Sequence, residues 1–128
     1  MYIRFVIHTK DNDSGRRQGL FQALSELEQA KILQENELNK WKEIYNWFRK
    51  NLNKPCKFSR SSKPHAKNVA ISWFKDLAIE HITKMHDLRK ILEHYGIAVE
   101  VLRTNRPGYI VYQDKYQVAA EPFSDTPT

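Results

Sequence analysis

Cations are the residues whose type and spacing best suit chemistry. From Ile44 to Lys75 the chain carries eight basic residues and no acidic one: Arg49, Lys50, Lys54, Lys57, Arg60, Lys63, Lys67 and Lys75. A stretch of one sign gathers anions and speeds encounter with phosphate-rich partners. Phe58 and His65 lie inside it and can stack on bases. Lys54, Lys57, Arg60, Lys63 and Lys67 fall in a Pro- and Ser-bearing stretch, 53–67, that reads as a flexible basic loop. Such a loop also serves plain solubility, and no nucleic-acid-binding signature accompanies it.

A second set of cations depends on the direction of the strands. Ligands of open sheets favour the crevice beyond the C-terminal ends of parallel strands. Lys75, Arg103 and Arg106 follow two strands expected to be parallel. If the first strand runs the same way, its exit loop adds Lys10, Ser14, Arg16 and Arg17 beside a helix start, where free N–H groups favour an anion. These seven residues form the expected anion site; sequence leaves the direction of the first strand open. Ser14-Gly15-Arg16-Arg17-Gln18-Gly19 is neither a Walker A loop nor a dinucleotide fingerprint, because the glycine spacing is wrong for both.

Other chemistries are poorly represented. His8, Asp11, Asp13 and Asp76 are the nearest candidates for a general base, and no catalytic residue can be assigned. His81 and His86 are five residues apart, about 140° around a helix, and cannot chelate one ion together. His94 shares a face with His86 two turns away, and all three read as exposed or rim histidines. No metal site and no cofactor are expected. The single cysteine, Cys56, excludes an internal disulfide and fits a reducing cytoplasm. Lys54 and Lys57 flank it and would lower its pKa, but it reads as an incidental thiol.

The elements that must position these residues follow from periodicity. Ile3, Phe5 and Ile7 alternate with Arg4, Val6 and His8, the pattern of a strand with one buried face. A helix is expected from Arg16–Gly19, capped by Asp13 or Ser14, with Leu20, Leu24 and Leu27 on its buried side. Leu38, Trp41, Tyr45, Phe48 and Leu52 repeat at helical steps and predict a second helix, its aromatics being core or interface. Val69–Phe74 reads as a strand, with Trp73 and Trp47 partly exposed. Asp76 caps a third expected helix, with Leu77, Met85, Leu88 and Leu92 buried and Gly96 as its stop. Strands at 98–103, 109–113 and 116–120 complete an antiparallel meander.

The order β-α-α-β-α-β-β-β predicts an α+β (or α/β) sandwich, a mixed sheet with helices packed on it. The βαβ unit at 69–103 should cross over right-handed and pair in parallel. One domain, 1–121, is expected, with a frayed tail at 122–128. Tyr109, Tyr112 and Tyr116 would present an aromatic face, and Val118-Ala119-Ala120 on a free edge strand would pair with a second copy. With 128 residues, a hydrophobic share of 41% and a net charge of +6, the composition is that of an ordinary globular protein. No apolar run approaches the roughly 18 residues of a membrane span, and the start lacks a signal-peptide pattern.

Three stretches, Asp13–Ala23, Ile71-Ser72-Trp73-Phe74-Lys75-Asp76 and Val101–Tyr112, resemble a family of short uncharacterised bacterial proteins of unknown function. The resemblance spans Arg4 to Pro122. It implies a single-domain cytoplasmic bacterial protein and carries over no catalytic residue. The leading expectation is therefore a binding module for an anionic partner, either nucleic acid or a small phosphorylated ligand. An enzyme or sensor acting on a small phosphorylated or carboxylated molecule is the alternative. A homodimeric interaction module is the third reading.

Overall fold

Strand β1, Tyr2–Lys10, organises the sheet, and every other element is placed relative to it. The computed structural model describes residues 1–12, 15–55 and 70–128. Asp13 and Ser14 lie outside the described residues, as do Cys56, Lys57, Phe58, Arg60, Lys63, His65 and Lys67 of the basic loop. After β1 come β2 (Arg17–Gly19), α1 (Leu20–Gln29), α2 (Glu35–Asn51), β3 (Ile71–Lys75), α3 (Ile79–His94), β4 (Val99–Thr104), β5 (Tyr109–Gln113) and β6 (Gln117–Glu121). The fold is α+β, in the expected order apart from β2.

Local chemistry accounts for the helices. Glu35 and Glu37 open α2 and Arg49 and Lys50 close it, so charge complements the dipole at both ends. Its buried stripe is Trp41, Ile44 and Phe48. Gly96, at φ 77°, stops α3 as expected. The expected caps differ: Gly19 precedes α1 and Ala78 precedes α3, neither with a side-chain cap. Asp76 instead faces the Met1 ammonium at 3.5 Å.

Every hydrogen-bonded strand pair is antiparallel. β3 and β4 do run in the same direction, but β1 lies between them, so the expected parallel pair is a split βαβ unit. The expected meander is likewise interrupted. β5 and β6 form a hairpin, while β4 sits beyond β1 at the far side of the sheet. β6 is an inner strand between β3 and β5, buried throughout, so the expected self-pairing edge at Val118–Ala120 does not exist.

That connectivity forces curvature. Across the order β4-β1-β3-β6-β5, a flat sheet separates its outer strands by about 19 Å. The link from Thr104 to Tyr109 reaches about 18 Å at most. Register adds a further offset along the strands, because Thr104 is level with Tyr2 whereas Tyr109 is level with Glu121. The sheet must therefore roll.

Two cores result. Ile3, Phe5 and Ile7 meet the three helices, packing with Leu20, Leu24, Phe48, Leu88 and Leu92. On the other face Val6, Ile71, Trp73, Leu102 and Val118 pack with Tyr2 and Ile110, and among the described residues no helix residue joins them. Trp73, expected to be partly exposed, is 1% exposed there because the sheet curls around it. The 122–128 segment, expected to fray, is laid against the 104–109 link. Thr126 is buried and its Oγ1 donates to the Arg106 carbonyl at 3.1 Å.

Gly108 makes the roll possible. Its φ is +128°, and an added Cβ would lie 1.9 Å from the Glu121 carbonyl oxygen. Gly108→Ala should cost at least about 2 kcal/mol, seen as a fall of roughly 8 °C in a thermal melt.

Glu37 joins the start of α2 to the end of α3. Tyr95 Oη donates to Glu37 Oε1 and accepts the Gln34 N–H at 3.0 Å, while His94 Nδ1 lies 2.7 Å from Glu37 Oε2. Burial alone would raise the Glu37 carboxyl, but the Tyr95 and His94 bonds outweigh it and hold it below its ordinary value. A lowered carboxylate stabilises the fold above its unfolded pKa and loses that contribution as pH falls through the folded one. Glu37→Gln should lower the melting temperature at pH 7 and reduce its decline below about pH 4.5, as melts from pH 7 to pH 3 would show.

Candidate functional site

The six cations expected at one crevice, Lys10, Arg16, Arg17, Lys75, Arg103 and Arg106, do not converge. Tyr2 is level with Lys75 and with Thr104, so Lys75 and Arg103 lie at the start of β1. Lys10 pairs with Arg17 at its other end, about 26 Å away along the strand. Sequence could not fix the direction of β1; it runs against β3 and β4 and divides the set. Arg103 is exposed on β4. Exposed Arg106 lies 3.7 Å from Asp125 and 5.1 Å over the Phe123 ring. Arg17 pairs with Glu100, and Arg16 and Arg17 both act electrostatically on Arg4. Ser14 lies outside the described residues.

The site the structure does build is a slot in the sheet. β4 pairs with Tyr2–Ile7 along one edge of β1, so β2 and β3 must share the other. β3 takes Tyr2 and Ile3; β2 takes Val6 and Lys10. Arg4 and Phe5 have no ladder partner on that edge among the described residues. A cavity of about 780 Å³ opens there, between Gly19 and Leu20 on one side and Ser72 and Trp73 on the other. The start of α1 supplies Phe21 and Gln22, and the end of α2 supplies Tyr45, Phe48, Arg49 and Leu52. Asn53, Lys54 and Pro55 continue the rim, and Gln117 of β6 closes the floor.

Aromatic rings form one wall. Phe21 meets Phe48 edge-on with centroids 5.0 Å apart and Tyr45 edge-on at 6.3 Å. Tyr45, expected in the core or an interface, is 43% exposed at this rim. Trp73 lines the other side, and its buried Nε1 has no hydrogen-bond partner among the described residues. An orphaned buried donor costs about 1–3 kcal/mol, so such groups call for an explanation.

Three cations reach the cavity: Arg4, Arg49 and Lys54. No Asp or Glu is among the described residues lining it. Arg4 is half-buried, and burial, then Arg16, then Arg17, lower its guanidinium to about 10. It remains charged at neutral pH. Its two hydrogen bonds go to main-chain oxygens, Nη1 to Thr128 at 3.3 Å and Nη2 to Arg17 at 3.2 Å. Arg17 Nε donates to the same Thr128 oxygen at 3.4 Å. Arg4 was invisible as a site residue in the sequence, where it sits on the apparent solvent side of an alternating strand.

The histidines play other parts. His81, expected to be exposed, is 3% exposed. Its Nε2 lies 2.8 Å from the Asn51 carbonyl and therefore carries the proton, and its ring meets Tyr116 at 4.4 Å and Trp47 at 4.8 Å. It fastens the end of α2 to α3. His86 stands edge-on to Phe5 at 5.0 Å, and burial, followed by Arg89, Arg103 and Lys90, lowers its pKa. Among the described residues no group of three or more His, Cys, Asp or Glu side chains could hold a metal, and no helix is long and apolar enough to cross a membrane.

No protein-family model, curated protein or solved structure matches the chain.

Arg4 therefore links the cavity to the 122–128 segment. Arg4→Met should speed amide hydrogen exchange at 123–128 at least several-fold while leaving α3 protected. Unchanged exchange in the tail would remove Arg4 as its anchor.

Proposed function

We propose that the protein is a binding module for an anionic ligand, held in the slot between β2 and β3. One observation carries the reading: an apolar, aromatic cavity reached by three cations and, among its described lining, by no carboxylate. Cavities of roughly 300–1,000 Å³ with a few convergent polar groups are the usual form of small-ligand sites. Arg4 contributes most, because two further arginines repel it and an anion would relieve that repulsion. Arg49 and Lys54 are exposed at the rim and draw the anion inward. Binding is favoured over turnover, since no carboxylate or imidazole of the described lining is available for proton transfer. A cleft also favours a small ligand over a nucleic-acid backbone, which would need an extended basic surface.

Titration with inorganic pyrophosphate, read by tryptophan fluorescence, tests this. Arg4→Gln should weaken binding about ten- to hundredfold, the worth of a charge-assisted hydrogen bond. Arg49→Gln, at an exposed position, should weaken it several-fold without affecting folding. Lys40→Gln, exposed on α2 outside the lining, is the control for net charge. Equal losses in all three would leave a diffuse positive surface and no site. A single-stranded oligonucleotide that binds tightly, and whose affinity depends on Lys50 rather than Arg4, would move the function to nucleic acid.

A further inference from the structure

We infer that the ligand of this cavity is a flat heteroaromatic ring bearing one anionic head, a phosphate or a carboxylate. The inference rests on the anion-binding reading and specifies what the anion is attached to. A bare inorganic anion would satisfy Arg4 but leave most of a 780 Å³ cavity, and its aromatic wall, in contact with water. The wall of Phe21, Tyr45 and Phe48 is built from edge-to-face contacts, an arrangement that offers ring faces and edges to a further ring. An aliphatic body would fill the space without using them. A ring with an in-plane acceptor nitrogen or oxygen can be met there by polar side chains of the lining. Gln22 and Ser72 add polar groups to the same lining, suited to the edge of such a ring.

Phosphate and carboxylate heads share this chemistry, and four probes separate them. Adenosine 5′-monophosphate and ribose 5-phosphate differ by the ring. Nicotinate and benzoate differ by one acceptor nitrogen. Binding of each is measured calorimetrically to the whole chain. Adenosine 5′-monophosphate should bind at least about tenfold more tightly than ribose 5-phosphate, or nicotinate than benzoate; the tighter of the two ring-bearing probes, adenosine 5′-monophosphate or nicotinate, identifies the head. Tyr45→Ala, at an exposed rim position, should weaken the ring-bearing probe about fivefold and pyrophosphate by much less. Ser72→Ala, at an exposed position of the lining, should reduce the preference for nicotinate over benzoate. Equal affinity within both pairs, with Arg4-dependent pyrophosphate binding intact, would overturn the ring and leave the anion site standing. Failure of every probe, pyrophosphate included, would overturn both.

Discussion

One edge of β1 is divided between two strands, and most of the molecule's character follows from that division. A strand of nine residues offers a long row of backbone donors and acceptors. β4 covers six of them on one side in continuous register. On the other side β3 holds only the first residues and β2 only the last part. Ladder hydrogen bonds abandoned in the middle are costly unless something else fills the gap. Here the start of α1 and the end of α2 close over it, leaving a cavity rather than a third pairing. The same division turns β3 away from β2 and hands its outer edge to β6, which carries β5 with it. The short 104–109 link then has to return from one side of the sheet to the other, and the sheet rolls.

Rolling explains why a residue such as Arg4 is charged and half-buried. On a flat sheet its face would be open to water. Curled, the same face carries the second core of Val6, Ile71, Trp73, Leu102 and Val118. A guanidinium tolerates this better than an ammonium, because its charge is delocalised and its fork can be met by main-chain oxygens. The oxygens of Arg17 and Thr128 do so. Arg16 and Arg17 act electrostatically on Arg4, and Glu100 pairs Arg17 at the exposed margin.

Periodicity made several parts legible. Alternation at Ile3, Phe5 and Ile7 identifies the face of β1 that meets the helices, and the stripe of Trp41, Ile44 and Phe48 identifies the buried side of α2. Gly96 ends α3 as expected for a residue free to take positive φ. Neighbour relations were not legible, for a physical reason. Alternation tells which side of a strand is buried, and says nothing about which strand lies beside it. The inner position of β6 and the insertion of β1 between β3 and β4 therefore escaped. β2 escaped because three residues, Arg17-Gln18-Gly19, are too few to show a period. The site was legible in part: Lys54 and Arg49 stood out in the one-signed stretch, whereas Arg4 and Trp73 become site residues only once the sheet has rolled.

Arg4 serves two structural neighbours at once, the 122–128 segment and the cavity, and the chemistry of guanidinium reconciles them. The group carries five N–H donors in a plane. Its two hydrogen bonds, to Thr128 and Arg17, engage Nη1 and Nη2 once each. Among the described residues, Nε–H and the second hydrogen of each Nη have no partner. A ligand oxygen approaching from the slot can therefore bond to Arg4 without displacing the tail, and would find the guanidinium already oriented by it. Fixing a long side chain beforehand removes much of the entropy that binding would otherwise cost. The tail packed across the rolled sheet, outside the described cavity lining, thus acts on the proposed site through Arg4, the lining cation it bonds.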